Sequence, residues 1–261
     1  MLPIRSNKWI PPADLPLSKA QLPTMYDLPS EDPEEPGWPD DFHYYQPQLL
    51  RETFCPPDYP PEQIYIATDL NLYYDLHHST WYKRPDWFAV LGVPRFYEGR
   101  ELRYSYVIWQ EEVAPFLVVE LLSEGTESED LGQTMREVKQ PPTKWQVYEQ
   151  ILQIPYYIIF SRISNELQVF HWQAGHYQAL PPQADRVWLP EIQLGIGLWL
   201  GNYQGLERQW LRWYDGQLQW LPTPVEREQQ RTQQEHQRAE QEHQRAEQLA
   251  AQLRALGIEP K

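Results

Sequence analysis

The sequence predicts an α+β domain built around one mixed sheet, followed by a long, separate C-terminal helix. Three observations predict it. Phe116–Leu122 is a nearly continuous apolar run, the mark of a strand buried on both faces, and it carries a single acid, Glu120. Around that run the periodicity reads as strands, then one helix, then further strands, an order that belongs to α+β proteins. After Glu226 the composition switches to Gln, Glu, Arg and Ala, and the heptapeptide Gln-Glu-His-Gln-Arg-Ala-Glu occurs at 234–240 and again at 241–247. A seven-residue period in strong helix formers predicts a long helix, about 45 Å if unbroken.

Residues 1–60 read as a proline-rich acidic arm. Pro11-Pro12, the stretch Leu28–Gly37 and the stretch Cys55–Pro61 interrupt any periodic element. One short helix, about Tyr45 to Phe54, is expected to pack on the domain. The acidic stretch is either a solvated linker or a binding tail. The domain proper is expected over 61–222. Its first strand is Gln63–Tyr74, where β-branched and aromatic residues nearly alternate with polar ones. Strands then follow at Trp87–Leu91, Tyr104–Trp109 and Phe116–Leu122, at spacings that suit antiparallel pairing. The composition turns polar from Ser123 to Asp130, a loop at the carboxyl end of the glutamate strand. Thr143 is placed as the N-cap of a helix carrying Lys144, Tyr148 and Leu152 along one side, and Pro155 ends it. Tyr156–Phe160 reads as a buried strand. Glu166–Trp172 and His176–Leu180 form a hairpin across Gln173-Ala174-Gly175, and Ile192–Trp199, Trp210–Tyr214 and Leu218–Leu221 add further β structure. Pro222 and Pro224 close the domain, and 223–261 is the heptad-like helix, either a solvated single helix or a coiled coil, with Gly257 as its C-cap.

Composition narrows the classes. With 41% hydrophobic residues, including 12 Trp and 17 Tyr, the chain can bury a sizeable core and wholesale disorder is excluded. Against 12 Gly there are 26 Pro, which predicts stiff loops and short elements. Cys55 is alone, so an intramolecular disulfide and a cysteine-based zinc site are excluded. No apolar run reaches membrane-spanning length and the N-terminus does not open a signal peptide, so a cytoplasmic protein without a membrane partner is expected. The formal net charge of -15 argues against an indiscriminate nucleic-acid coat. Most of that acid lies before residue 76, outside the expected core, although no basic groove stands out within the core either.

The chemistry gathers between Pro85 and Tyr148. An acid at the mouth of one apolar strand (Asp86), a second inside another (Glu120) and a lysine on the following helix (Lys144) make a hydrolytic metal site for phosphodiesters. A buried acid needs a partner, and hard cations such as magnesium prefer carboxylate oxygens. The alternative is a turn acid after Pro85 and a glutamate salt-bridged at a strand end. Asp69 either reaches the metal centre from outside or serves as a turn acid at its strand's end. Ser123, Thr126 and Asp130 either support the site or are loop and cap residues. Tyr148, one turn from Lys144, is expected to pack the helix on the sheet rather than touch substrate. The histidines show no zinc spacing, and there is neither a glycine-rich phosphate loop nor a serine elbow.

These residues also carry a resemblance. Pro85-Asp86, Val118–Ser123, Thr126, Asp130, Lys144, Tyr148 and the strand Pro155–Phe160 resemble the Uma-type family of restriction-endonuclease-like proteins, a branch of the PD-(D/E)XK nuclease superfamily. The resemblance spans about the middle two-thirds of the chain. It implies a restriction-endonuclease-like core, a mixed central sheet flanked by helices, with Asp86 and Glu120 on adjacent strands that open toward one edge. It further implies that both carboxylates and the backbone carbonyl of Leu121 hold magnesium or manganese, with Lys144 as the catalytic lysine; Asp69, Ser123 and Tyr148 are the supporting residues considered beside them. In the superfamily's founding pattern the lysine follows the glutamate by two residues. Here that position is Leu122, and the family resemblance moves the role to Lys144 on the next helix.

Two functional classes follow. One is a magnesium-dependent endodeoxyribonuclease with DNA as substrate. The other is a catalytically silent nuclease-fold scaffold that binds partners through its acidic arm and C-terminal helix. A homodimer and a protein partner of that helix are the further associations considered.

Overall fold

A computed structural model describes residues 18, 21–24, 27, 28, 41–122, 132 and 140–255. The chain divides into two compact units, Met1–Leu221 and Pro222–Lys261.

In the first unit, helix α1 (Asp41–Thr53) comes first. It lies within the expected arm and begins earlier than its periodicity indicates. Phe42, Gln46, Leu49, Leu50 and Thr53 repeat at three and four residues, so one stripe is buried in the main core. Pro47 sits inside the helix and removes the hydrogen bond that would return to the carbonyl of His43.

Strands β1 (Ile64–Ala67), β2 (Leu72–Tyr73), β3 (Tyr82–Lys83) and β4 (Trp87–Leu91) follow. The single strand expected over Gln63–Tyr74 is therefore two. Asp69 takes a left-handed φ of 50°, which turns the chain out of one sheet and into another. Tyr104–Trp109 is also corrected: only β5 (Tyr106–Val107) is extended, and α2 (Ile108–Glu111) follows at once. Then come β6 (Leu117–Leu122), α3 (Lys144–Gln146), β7 (Tyr156–Ser161), β8 (Glu166–Gln173) and β9 (His176–Ala179). The hairpin from β8 to β9 turns on Ala174 and Gly175, both at positive φ, the conformation a two-residue hairpin loop requires. Strand β10 (Arg186–Leu189), absent from the sequence reading, precedes β11 (Leu194–Tyr203) and β12 (Leu206–Tyr214). Leu218–Leu221 is not a strand; it contributes one bridge, Tyr214 to Trp220.

Among the described residues three sheets form, the expected mixed sheet and two smaller ones. The six-stranded mixed sheet has the order β1-β4-β6-β7-β8-β9; β6 and β7 run parallel and every other neighbouring pair antiparallel. Strands β10-β11-β12 make an antiparallel sheet, and β3-β2-β5 a small one. Strands β4, β6 and β7 of the large sheet are buried on both sides, and the period of two divides their residues cleanly. Trp87, Ala89, Leu117, Val119, Leu121, Ile158 and Phe160 enter the core shared with α1 and the β10–β12 sheet. Phe88, Val90, Val118, Leu122, Tyr157 and Ile159 enter the opposite core with Val147 and Tyr148. By the same alternation Asp86 and Glu120 lie on that second face.

The second unit contains α4 (Pro224–Ala255), the expected long helix. Pro224 is its first residue and so begins the helix rather than blocking it. Thr223 caps it: the Thr223 N–H donates to Glu226 Oε2 at 2.7 Å and the Glu226 N–H to Thr223 Oγ1 at 3.2 Å. Up to Gln252 its side chains are almost all exposed, and Arg231 pairs with Glu235 one turn on. Among the described residues no helix is long and apolar enough to cross a membrane.

Candidate active site

The site forms where β4 ends against β6. Trp87 pairs with Val119, and one further step of that antiparallel register sets Asp86 opposite Glu120. Leu121 turns its backbone groups toward β4, so the Asp86–Glu120 position falls between hydrogen-bonded pairs, where opposed side chains approach most closely. The backbone follows suit: the Asp86 N–H points at Glu120 Oε2 over 3.4 Å, and the Leu121 N–H donates to Asp86 Oδ2 at 2.6 Å. Each acid is thus tied to the other's strand, and Glu120 is fully buried.

Helix α3 supplies the cation. Thr143 caps it reciprocally with Gln146, as expected from the sequence, and this fixes the first turn. Beyond Gln146 the helix widens into a π turn, Val147–Ile151, where the Leu152 N–H reaches back to the Val147 carbonyl. The sequence reading placed an ordinary α-helix here. Single π turns recur at functional sites, and this one carries Tyr148. The turn is docked on the sheet by the Trp172 indole, which donates to the Glu149 carbonyl at 2.9 Å, and by the Tyr177 N–H, which donates to Glu149 Oε1 at 2.8 Å. Trp145 packs edge-on against Tyr157, Phe170 and Tyr177.

So held, Lys144 and Tyr148, four residues apart on one side of the helix, both reach the buried glutamate. Lys144 Nζ lies 3.0 Å from Glu120 Oε2, and the Tyr148 hydroxyl donates to Oε1 at 2.8 Å. Lys144 keeps 20% of its side chain exposed while Glu120 keeps none, so the ammonium bridges the buried acid and solvent. Tyr148 was expected to pack, and it does, against Tyr157; its hydroxyl also donates to Glu120 Oε1.

Of the other expected residues, Asp69 meets the site through its backbone. Its N–H faces the carbonyls of Pro85 and Asp86, while its carboxylate pairs with Arg84 at 2.7 Å. Ser123, Thr126 and Asp130 lie outside the described residues. The Leu121 carbonyl is at the site's edge, but it meets a residue the sequence reading passed over: His43 Nε2 lies 3.1 Å from it. His43 is buried on α1. The signal for it was available, since His43 and Gln46 are polar residues three apart on a largely apolar stripe.

The donors fit a hard cation in kind. Two carboxylates and one amide carbonyl, all oxygen, gather at the end of β6, and a lysine stands beside them. Among the described residues no three His, Cys, Asp or Glu form a metal cluster, so the protein's donors would be these three groups, with water or substrate completing the shell.

One family model, described as "Putative restriction endonuclease", matches residues 23–202, more than half of the chain and the whole of the site above. No curated protein matches the chain.

Proposed function

The chain belongs to the Uma2 family of restriction-endonuclease-like proteins, and on that footing we propose that it is a metal-dependent endodeoxyribonuclease that hydrolyses DNA phosphodiester bonds with magnesium or manganese. The observation that carries the reading is the meeting of Lys144 and Tyr148 on Glu120 directly across from Asp86.

A divalent cation held by Asp86, Glu120 and the Leu121 carbonyl would polarise the scissile phosphate and lower the pKa of an attacking water. The protein's part is to position and to stabilise charge. The Leu121 N–H orients the Asp86 carboxylate, and the Tyr148 hydroxyl orients that of Glu120. Lys144, partly exposed and set by its cap, faces the negative charge that develops on the phosphoryl oxygens, where one positioned donor is worth about 3–4 kcal/mol. Its ammonium also offsets the repulsion between two carboxylates at close quarters.

The test is cleavage of plasmid and single-stranded DNA by purified protein with magnesium or manganese. Lys144→Ala is expected to depress cleavage by two or more orders of magnitude while the cation still stabilises the fold, and Asp86→Asn to lose both. A second reading, the silent scaffold, is favoured by the net charge of -15, which opposes avid DNA binding. It requires that no DNA form be cut and that all variants behave like the parent.

A further inference from the structure

The end of β4 leaves a gap in the backbone pairing of β6. Continuing the register from Trp87–Val119 by two residues sets Pro85 opposite Leu121. A proline has no N–H, so the strand cannot supply a donor to the Leu121 carbonyl. Nor does the Leu121 N–H go to the Pro85 carbonyl: it donates to Asp86 Oδ2 at 2.6 Å, and the Pro85 carbonyl accepts from the Asp69 N–H at 3.1 Å. Side chains replace the missing strand: Asp86 takes the Leu121 N–H, and His43 of α1 takes the Leu121 carbonyl.

The imidazole is set with care. An amide carbonyl only accepts, so His43 Nε2 carries the proton and donates. One turn along α1, the buried Gln46 pairs with the backbone of Leu211 like a strand, its Nε2 donating to the carbonyl at 2.8 Å and its Oε1 accepting the N–H at 2.9 Å. Phe42, beside His43, stacks on Trp210. Helix α1 is therefore anchored to β12 on one side and delivers His43 to the end of β6 on the other. A carbonyl has two acceptor sites, so donation from His43 orients the Leu121 oxygen and leaves it a second lone pair.

We propose that His43 is a positioning residue of the metal site: its Nε2–H aims the Leu121 carbonyl at the cation held by Asp86 and Glu120. The inference rests on the reading of Asp86, Glu120 and Leu121 as cation ligands. Partners of this kind, one bond removed from a metal, alter affinity by about 10–100-fold when removed.

The experiment measures manganese affinity by calorimetry on the full chain, below its melting temperature, for the parent, Glu120→Gln, His43→Leu and His43→Gln. Loss of binding in Glu120→Gln establishes the site. Folded His43→Leu is then expected to bind about tenfold or more weakly. His43→Gln, whose amide nitrogen can stand where Nε2 stands, is expected to recover most of the loss. A residue that served folding alone would lower the melting temperature and leave the affinity of the folded protein unchanged, and that result overturns the proposal while the site stands. A parent that binds no manganese, or a Glu120→Gln protein that binds like the parent, overturns the site itself and this inference with it. Should His43→Leu fail to fold, the parent decides: the His43 Nε2 nitrogen resonance is expected to shift as magnesium saturates the protein, and a stationary resonance overturns the proposal.

Discussion

Tyr148 and Glu120 lie 28 positions apart in the chain, both fully buried, and the phenol hydroxyl donates to Glu120 Oε1 at 2.8 Å. A carboxylate this deep is costly unless its oxygens are engaged, and the second oxygen is held by Lys144. Tyr148→Phe keeps the ring against Tyr157 and removes only the donor. It is expected to cost about 1.5–3 kcal/mol, the range for a hydrogen bond to a charged group. Urea denaturation checks this; an unchanged midpoint would mean that the bond adds nothing, and a changed slope would point to a wider rearrangement.

Metal binding has a thermal readout. A cation at about a hundred times its dissociation constant adds about 2.7 kcal/mol, and in a chain of this size that raises the melting temperature by about 5–10 °C. Magnesium or manganese is expected to produce such a shift in the parent and none in Glu120→Gln. Lys144→Ala, which removes a competing cation from Glu120, is expected to keep the shift or enlarge it. An equal shift in Glu120→Gln would move the cation away from β6.

Truncation tests the division of the chain. Ending it after Leu221 keeps the carbonyl that accepts from Arg212 at 2.8 Å and discards only the second compact unit. The shortened protein is expected to melt cooperatively, within about 2 °C of the parent. A broad or absent transition in scanning calorimetry would show that residues 222–261 support the core.

Alkaline pH should find the buried phenols. Burial raises the pKa of Tyr65, Tyr106, Tyr156 and Tyr177, reinforced by Glu191 at Tyr156 and by Glu149 at Tyr177, and opposed by Arg103 at Tyr65 and Tyr106. A raised folded pKa means that the native state keeps its protons longer than the unfolded chain. Stability is therefore fully present below about pH 10 and falls as pH rises above it, by about 1.4 kcal/mol per pH unit for each such group. Tyrosinate absorbance is expected to rise in two parts, exposed phenols first and the buried ones together with loss of circular dichroism. Complete titration near pH 10 with the fold intact would contradict the assigned burial.

What was legible in the sequence was whatever local pattern dictates. The apolar run of β6 with Glu120 inside it, the acid at the head of β4, the Thr143 cap and the polar C-terminal helix depend on period, composition and capping chemistry, and each of these elements is present in the fold. Pairings across the fold were not legible. Asp69 bends the chain because left-handed backbone is tolerated there, and no periodicity announces it. The π turn that carries Tyr148, and the engagement of its hydroxyl with Glu120 rather than water, depend on how Trp172 and Tyr177 dock the helix. His43 lies 78 positions from Leu121, and only the packing of α1 between two sheets brings it to that carbonyl. The sequence by itself determined which residues carry charge and which elements they sit on, because those follow from neighbours along the chain. Only the tertiary structure decided which side chains satisfy the groups left open where β4 ends, because a buried donor or acceptor takes its partner from whatever the fold sets within about 3 Å.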